Sequence, residues 1–181
     1  MSFSLYPDDY VSSAYGIDFD KLYAEGYRGI IFDIDNTLVP HGAPADARAE
    51  ELFQKLQRIG FESCLLSNNK EPRVAVFNER IHTHYICNAH KPSKAGYIQA
   101  MERMQTDADT TLFIGDQIFT DLLGAKNAGI RMVLTRPIHP REEIQIVLKR
   151  IPERLILFSY RIWRIFVPPK DRIEKTVAGQ K

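Results

Sequence analysis

The sequence predicts an α/β fold: one three-layer, Rossmann-like domain around a mostly parallel sheet of five strands. Short apolar runs typical of strands alternate with stretches of helical period along most of the chain. Strands that alternate with helices form parallel sheets that are covered on both faces. The length of 181 residues is enough for one such domain with a substantial core.

Each predicted strand or helix is a run of residues with one hydrophobic period, bounded by residues that typically begin or end such an element. The strands are predicted at 29–34, 62–67, 83–88, 111–115 and 131–135. The helices are predicted at 45–59, 71–80, 93–104, 118–128 and 141–150. Pro72 and Pro92 suit first helical turns, where a missing N–H matters little, and Gly60 and Gly129 suit helix C-termini. Ligands of such sheets bind beyond the carboxyl ends of the strands.

The composition excludes several classes of function. A hydrophobic content of 44% and a charged content of 26% are ordinary globular values, and a net charge of +1 predicts no nucleic-acid partner. The first residues do not form a secretory signal, and no run of 18 apolar residues could span a membrane. We therefore expect a cytoplasmic protein, at most peripheral to the inner face of the membrane. Cys64 and Cys87 are expected to be buried free thiols.

Two aspartates, Asp33 and Asp35, follow the apolar strand that begins the motif IIFDIDNTLVP. Buried, unpaired carboxylates are costly, and two like charges this close oppose each other's ionisation. A cation between them would remove both objections. The pair therefore indicates a metal site or a catalytic site.

Three more polar groups follow later strands, and together the four groups could perform phosphoryl transfer. They are Asp33 to Thr37, Ser67 to Asn69, Lys91 with Pro92, and Gly115 with Asp116 and Asp121. One carboxylate can attack phosphorus, and a second can protonate the leaving oxygen and then activate water. Mg²⁺ prefers oxygen ligands such as these carboxylates. A lysine and a hydroxyl, such as Lys91 and Ser67, can hold the phosphoryl oxygens.

In this order the four groups resemble the motifs of the haloacid-dehalogenase-like (HAD) phosphatases: DxDxT, a strand-end Ser, a Lys, and GD with a later Asp. The resemblance implies that Asp33 is the nucleophile and Asp35 the general acid and base. The implied catalytic set is Asp33, Asp35, Ser67 and Lys91, and the implied substrate-binding residues are Thr37, which would also brace its loop, and Asn68.

The same resemblance implies a Mg²⁺ cofactor. Its protein ligands would be the Asp33 side chain, the Asp35 backbone carbonyl and the Asp116 side chain. Asp121 would support the metal site from close by.

The spacing of the motifs predicts a HAD domain without a cap. Asp33 and Ser67 are 34 positions apart, and Ser67 and Lys91 are 24 apart, so neither gap holds a cap domain. FDIDNTLVP, LLSNN, HKPSKAGY and GDQIFTD look most like the bacterial YqeG-type branch, which is similar to mitochondrial phosphatidylglycerophosphate phosphatases. That likeness implies hydrolysis of phosphatidylglycerophosphate to phosphatidylglycerol and phosphate. A phosphorylated protein or a small phosphorylated metabolite is the alternative substrate.

The C-terminal segment, residues 151–181, is expected to follow the phosphatase domain of residues 1–150 as an amphipathic basic helix and tail. Pro152 could begin this helix, and Pro168 with Pro169 would end it. On a helix, Arg150, Arg154, Arg161 and Arg164 fall within an arc of about 80°, with apolar residues over much of the rest. The helix packs on its own domain or a partner subunit, or it lies in a membrane interface. The oligomeric state stays open.

Other polar residues have simpler interpretations. His82, His84, Cys87 and His90 lack the tight spacing of a zinc site. Lys94, one helical turn beyond Lys91, is the alternative phosphate clamp. Asp8, Asp9, Asp18 and Asp20 are expected to be solvated or to cap helices.

Two non-enzymatic functions are the remaining alternatives. A receiver domain also uses an aspartyl phosphate, but its acceptor lies on a later strand and it has no counterpart of Asp35. A catalytically idle interaction module would not need every catalytic position filled, as they are here.

Overall fold

Six parallel strands form one sheet with the order β1-β6-β5-β2-β3-β4 in the computed structural model, which describes residues 5–139, 144–167 and 173. The strands are β1 (Asp9–Val11), β2 (Gly29–Phe32), β3 (Glu62–Leu66), β4 (His84–Ile86), β5 (Thr111–Gly115) and β6 (Arg131–Thr135). The sheet confirms the predicted α/β fold, with one strand more than expected.

Helices cover both faces of this sheet. They are α1 (Phe19–Ala24), α2 (Ala47–Ile59), α3 (Glu71–Ile81), α4 (Ala95–Met104), α5 (Leu123–Asn127) and α6 (Ile144–Phe166). A 3₁₀ turn covers Ala14–Gly16, and a π-helical turn, Ile118–Leu122, leads into α5. The helix predicted at 118–128 is therefore a π turn joined to a short α-helix.

The strand that the prediction missed is β1. It has only three residues, and one of them is an aspartate, so it carries no apolar run to reveal it. Asp9 is buried and binds Arg131 of β6 through bonds of 2.8 and 2.9 Å, so the expectation that it is solvated was wrong. Asp18 does cap α1, accepting from Lys21 N. The long-range pairing of Asp9 is invisible in local sequence.

Alternate residues of the central strands fill two cores, as a period of two requires. Ile30 and Phe32 belong to the cluster on one face of the sheet, while Ile31 lies in the cluster on the other, with Phe113 and Tyr97. Cys64 is in the second cluster, and both Cys64 and the partly buried Cys87 are free thiols. The central strands are therefore covered on both sides, which leaves their carboxyl ends as the place for polar chemistry.

The register of the central strands brings these carboxyl ends level. Phe32 of β2 is paired with Leu65 of β3 and Ile114 of β5. The residues that follow these strands therefore begin at the same edge. One helix lies between β2 and β3, and one between β3 and β4, so the described residues 5–139 contain no cap domain.

The helix predicted at 141–150, of which residues 141–143 lie outside the described ranges, and the predicted C-terminal helix are one helix. α6 runs unbroken from Ile144 to Phe166 and contains Pro152, so the prediction that Pro152 begins a helix was wrong. The predicted boundary at residues 150 and 151 falls inside this helix. An internal proline typically costs about 3 kcal/mol. Packing offsets this cost, since Glu153 and Tyr160 are buried against the domain.

Candidate active site

Buried polar side chains meet at the carboxyl edge of the sheet. Asp33 follows β2, Ser67 follows β3, and Asp116 follows β5, and all three are almost fully buried. Lys91 precedes α4 and Asp121 lies in the π turn, and both are buried there as well. The structure thus brings together five residues that the sequence predicted for one site.

Lys91 joins two of the carboxylates. Its Nζ donates to Asp33 Oδ1 at 2.5 Å and to Asp121 Oδ1 at 2.7 Å. Burial alone would lower the pKa of the ammonium, but Asp121 and Asp33 outweigh it and raise that pKa above its ordinary value. Lys91 is therefore held as a permanent cation in the site.

Burial of the Asp33 carboxyl opposes its ionisation. The pKa of Asp33 is raised from 3.8 to about 7, mainly by burial; the Lys91 ammonium lowers it in part, and the Asp121 carboxylate adds to the rise. The ionised form needs additional positive charge close by. A divalent cation would supply that charge and keep Asp33 ionised at neutral pH.

Three carboxylates can converge on such a cation. Within the described part of the chain, Asp33, Asp116 and Asp121 are the one group of acidic, histidine or cysteine residues whose ligand atoms lie within 4.8 Å of one another. Three carboxylates beside one lysine leave a formal charge of −2 when all are ionised. Their hard oxygen atoms fit a divalent ion such as Mg²⁺. Among the described residues, His82, His84 and His90 are exposed and do not belong to this group.

Asp121 also shapes the loop that carries Asp116. Its Oδ2 accepts from Asp116 N at 3.2 Å and from Gln117 N at 3.1 Å. A Cβ on Gly115 would lie 2.5 Å from this same Oδ2. Glycine is therefore required at position 115 for Asp121 to reach the loop.

Asp35 is held away from this cluster by three donors. Its Oδ1 accepts from Arg73 at 2.9 Å and from Gly42 N at 2.8 Å, and its Oδ2 accepts from Asn69 Nδ2 at 2.5 Å. Sequence reasoning missed Arg73 as a site residue. The one available signal was its position in the first turn of a helix that begins at the carboxyl edge of the sheet.

The remaining predicted residues hold the site together. Asn68 Oδ1 accepts from Lys91 N at 2.7 Å, and Asn68 Nδ2 donates to Lys91 O at 3.3 Å. These two bonds fix the backbone of Lys91. Thr37 Oγ1 donates to Asp116 Oδ1 at 3.3 Å. Ser67 Oγ accepts from Asn69 N at 3.1 Å. Lys94, the alternative clamp, is exposed.

Comparison with known proteins decides the family. A sequence-family model described as HAD-hydrolase-like matches residues 88–144. The probable phosphatase YqeG of Bacillus subtilis is 34% identical over 156 residues, which cover 86% of this chain and 91% of that protein. The chain belongs to the YqeG-like branch of the HAD phosphatases. It is accordingly a phosphoric monoester hydrolase and acts on a phosphorylated substrate.

A more distant relative has a defined substrate. The chloroplastic and mitochondrial phosphatidylglycerophosphate phosphatase 1 of Arabidopsis thaliana is 26% identical over 159 residues, and the chain spans 44% of its length. Among solved structures, a HAD superfamily (subfamily III A) hydrolase from Legionella pneumophila aligns with a TM-score of 0.52 at 15% identity, over 72% of this chain and 75% of that one. This likeness supports the fold. Among the described residues, no helix is long and apolar enough to cross a bilayer.

Proposed function

We propose that this HAD phosphatase is Mg²⁺-dependent and forms an aspartyl phosphate on Asp33. The observation that carries this proposal is the buried Asp33 carboxylate, which lies beside Lys91 and within ligand distance of Asp116 and Asp121. Bound Mg²⁺ would neutralise charge on the phosphoryl oxygens. Asp33 and Asp116 would hold it, and Asp121 would support their loop.

The proposed reaction has two steps, and the residues of the chain account for every proton. Asp33 attacks phosphorus while Asp35, protonated, gives its proton to the leaving oxygen, which releases the alcohol. Asp35 then takes a proton from water, which attacks the aspartyl phosphate and releases inorganic phosphate. Lys91 and Ser67 bind phosphoryl oxygens, as charge-assisted and neutral donors respectively. Arg73 and Asn69 hold Asp35 in place for both transfers.

The proposed substrate is phosphatidylglycerophosphate, and the surface of α6 supports a lipid. Its outward face carries large apolar side chains that are well exposed: Leu155 (68%), Phe158 (64%), Ile162 (44%), Ile165 (76%) and Phe166 (79%). At 100° per residue they span about a third of the helix circumference. Such a continuous apolar face marks an interaction site more often than scattered exposed residues do.

The charges beside this face favour an anionic membrane as its partner. Arg154 and Arg161 are exposed along one border of the apolar face. Arg164 points inward instead, with Nε donating to Tyr160 Oη at 2.7 Å and Nη2 to Asp8 O at 2.9 Å. An apolar face with arginines at its border is typical of a helix that lies in a lipid interface. This surface supports our proposal that the enzyme is cytoplasmic and binds peripherally to the inner face of the membrane.

A phosphorylated protein or small metabolite remains the second candidate substrate. The open, capless edge of the sheet suits a phosphorylated protein, because a large partner could reach Asp33 directly. It leaves the exposed apolar face of α6 without a role.

The test is phosphate release from phosphatidylglycerophosphate in mixed micelles, with and without Mg²⁺, beside a panel of soluble phosphate esters. The Asp33→Asn protein is the blank. We expect a Mg²⁺-dependent kcat/KM about 10³-fold higher on the lipid than on the soluble esters, which is about 4 kcal/mol of transition-state binding. Equal or higher activity on a soluble ester would refute phosphatidylglycerophosphate as the substrate, but it would agree with the proposed phosphatase reaction. Activity without any divalent cation would contradict the Mg²⁺ dependence.

A further inference from the structure

A groove of about 600 Å³ leads away from the active site along α6. Asp116 is among the residues that line it, and the segment after β6 and the helix α6 form its walls. The apolar residues along it include Leu157 and Phe158. Phe158 belongs to the exposed apolar face as well, so the groove connects that face with the metal-binding edge of the sheet.

Positive charge dominates the walls of this groove. Arg136 lies on one wall, and Arg154 and Arg161 lie on the other. Within the described ranges 5–139 and 144–167, no carboxylate is paired with any of these three guanidinium groups. The acidic residues that line the groove are Asp116, which faces the metal site, and Glu153.

Glu153 is already engaged. Its Oε1 accepts from Ile118 N at 2.8 Å, and its side chain is buried. It therefore fastens α6 to the loop that follows Asp116. On the other wall, Ile138 N donates to Asn36 O at 3.0 Å, which ties the segment carrying Arg136 to the loop of the catalytic aspartates. Both walls are thus fixed relative to the active site.

We propose that this groove is a subsite for a second anionic group of the substrate, a phosphodiester joined to the phosphomonoester that is hydrolysed. Guanidinium groups bind phosphate oxygens in a planar, often bidentate geometry. The apolar residues beside them accommodate the carbon chain that continues from the diester. The inference rests on the proposed phosphatase function and adds the residues that select a substrate with two phosphate groups.

The size of the expected effect follows from the kind of bond. Loss of one hydrogen bond to a charged group lowers the affinity about 10- to 100-fold. Arg154 and Arg161 are seven residues apart, two helical turns on one side of α6. The double substitution Arg154→Gln with Arg161→Gln removes both charges from that wall and keeps most of the side-chain volume. Arg58→Gln, at an exposed arginine of α2, is the matched control.

The kinetic test uses two soluble substrates, so that membrane binding plays no part. Glycerophosphoglycerophosphate carries a monoester and a diester, and glycerol 3-phosphate carries the monoester alone. We expect the unmodified protein to favour the first by at least about 100-fold in kcat/KM. The double variant should lose most of that preference through KM and keep its activity on glycerol 3-phosphate, and Arg58→Gln should change neither. A preference that the double variant retains, or an equal loss on both substrates, would overturn the subsite.

A binding measurement separates this proposal from the proposed function. Glycerophosphoglycerol, which has the diester and no monoester, is titrated calorimetrically into the Asp33→Asn protein with and without the two arginine substitutions. Binding that these substitutions weaken at least tenfold supports the subsite, even if no lipid is hydrolysed. Equal binding with and without them, or none at millimolar concentration, would refute the subsite even in an active phosphatase.

Discussion

The buried acidic cluster around Lys91 and the surface of α6 hold their charges in opposite ways. In the cluster, Asp33, Lys91 and Asp121 are buried and joined by bonds of 2.5 and 2.7 Å. Along α6, Arg154 and Arg161 are exposed beside apolar side chains that face outward. A buried network with fixed partners suits a reaction that is the same for every substrate. An exposed surface without partners suits recognition, so substitutions in the two regions should affect different measurements.

The largest expected effect is loss of the proposed nucleophile. Asp33→Asn should lower kcat at least about 10⁴-fold on every substrate, because an amide cannot form the acyl phosphate. Asp35→Asn should lower turnover as severely, yet leave Asp33 able to bind beryllofluoride, which fluorine NMR would detect. Asp20→Asn, at a surface carboxylate that pairs with Lys55, is the control. Turnover within tenfold of normal in Asp33→Asn would refute the assignment.

Removing the buried cation should affect both stability and rate. Lys91→Met leaves the Asp33 and Asp121 carboxylates without their shared donor, and breaking a buried pair costs about 3–5 kcal/mol. In urea unfolding we expect the free energy of unfolding to fall by an amount near the lower limit of this range, because Asp33 can take up a proton. Added Mg²⁺ should restore part of this lost stability. The rate should fall about 10³-fold, as with other removed electrostatic donors.

The neighbouring lysine provides the control for this substitution. Lys94→Met changes an exposed side chain in the same segment and should alter the free energy of unfolding by less than about 0.5 kcal/mol. A loss of activity in Lys94→Met as large as in Lys91→Met would give Lys94 the phosphate-binding role that the sequence left open.

The same contrast explains what could be predicted from the sequence. Asp33 and Asp35 lie in one short motif, and Lys91, Asp116 and Asp121 follow strands that the sequence predicted, so local pattern revealed them. The carboxyl ends of adjacent parallel strands necessarily meet, which brought these residues together in the prediction.

Features made by distant segments could not be predicted in this way. Arg136 and Arg161 lie on opposite walls of one groove, and no spacing rule connects them. The arginine stripe on α6 was only partly right, because packing against Tyr160 and Asp8 turns Arg164 inward. Arg73 was missed for the same reason, since its bond to Asp35 spans 38 positions. Such contacts are decided by tertiary packing, which a helical period does not contain.

Arg73 tests whether Asp35 must be held in place for turnover. Arg73→Met should free one side of Asp35 and lower kcat about 10- to 100-fold, the range expected when a catalytic group loses its orientation. KM should change little, because Arg73 is proposed to position Asp35 and not to bind substrate. Arg80→Met, on the same helix, loses a more exposed pair with Glu50 and should leave kcat unchanged. A rise in KM with an unchanged kcat would give Arg73 a binding role instead.

Substitutions on the exposed apolar face of α6 should have the smallest effects, and they should leave the rate of hydrolysis unchanged. Ile162→Ser and Ile165→Ser should each weaken binding to anionic phosphatidylglycerol vesicles about tenfold, because each removes an exposed side chain that would be buried in lipid. Ile98→Ser, at an exposed isoleucine of α4, is the matched control. Point substitutions are preferable to truncation, because Glu153 and Tyr160 belong to the buried side of the same helix. Hydrolysis of a soluble ester should be unchanged in all three variants. If the unmodified protein does not sediment with these vesicles at low salt, the interfacial role of α6 is refuted, and the lipid substrate loses its main structural support.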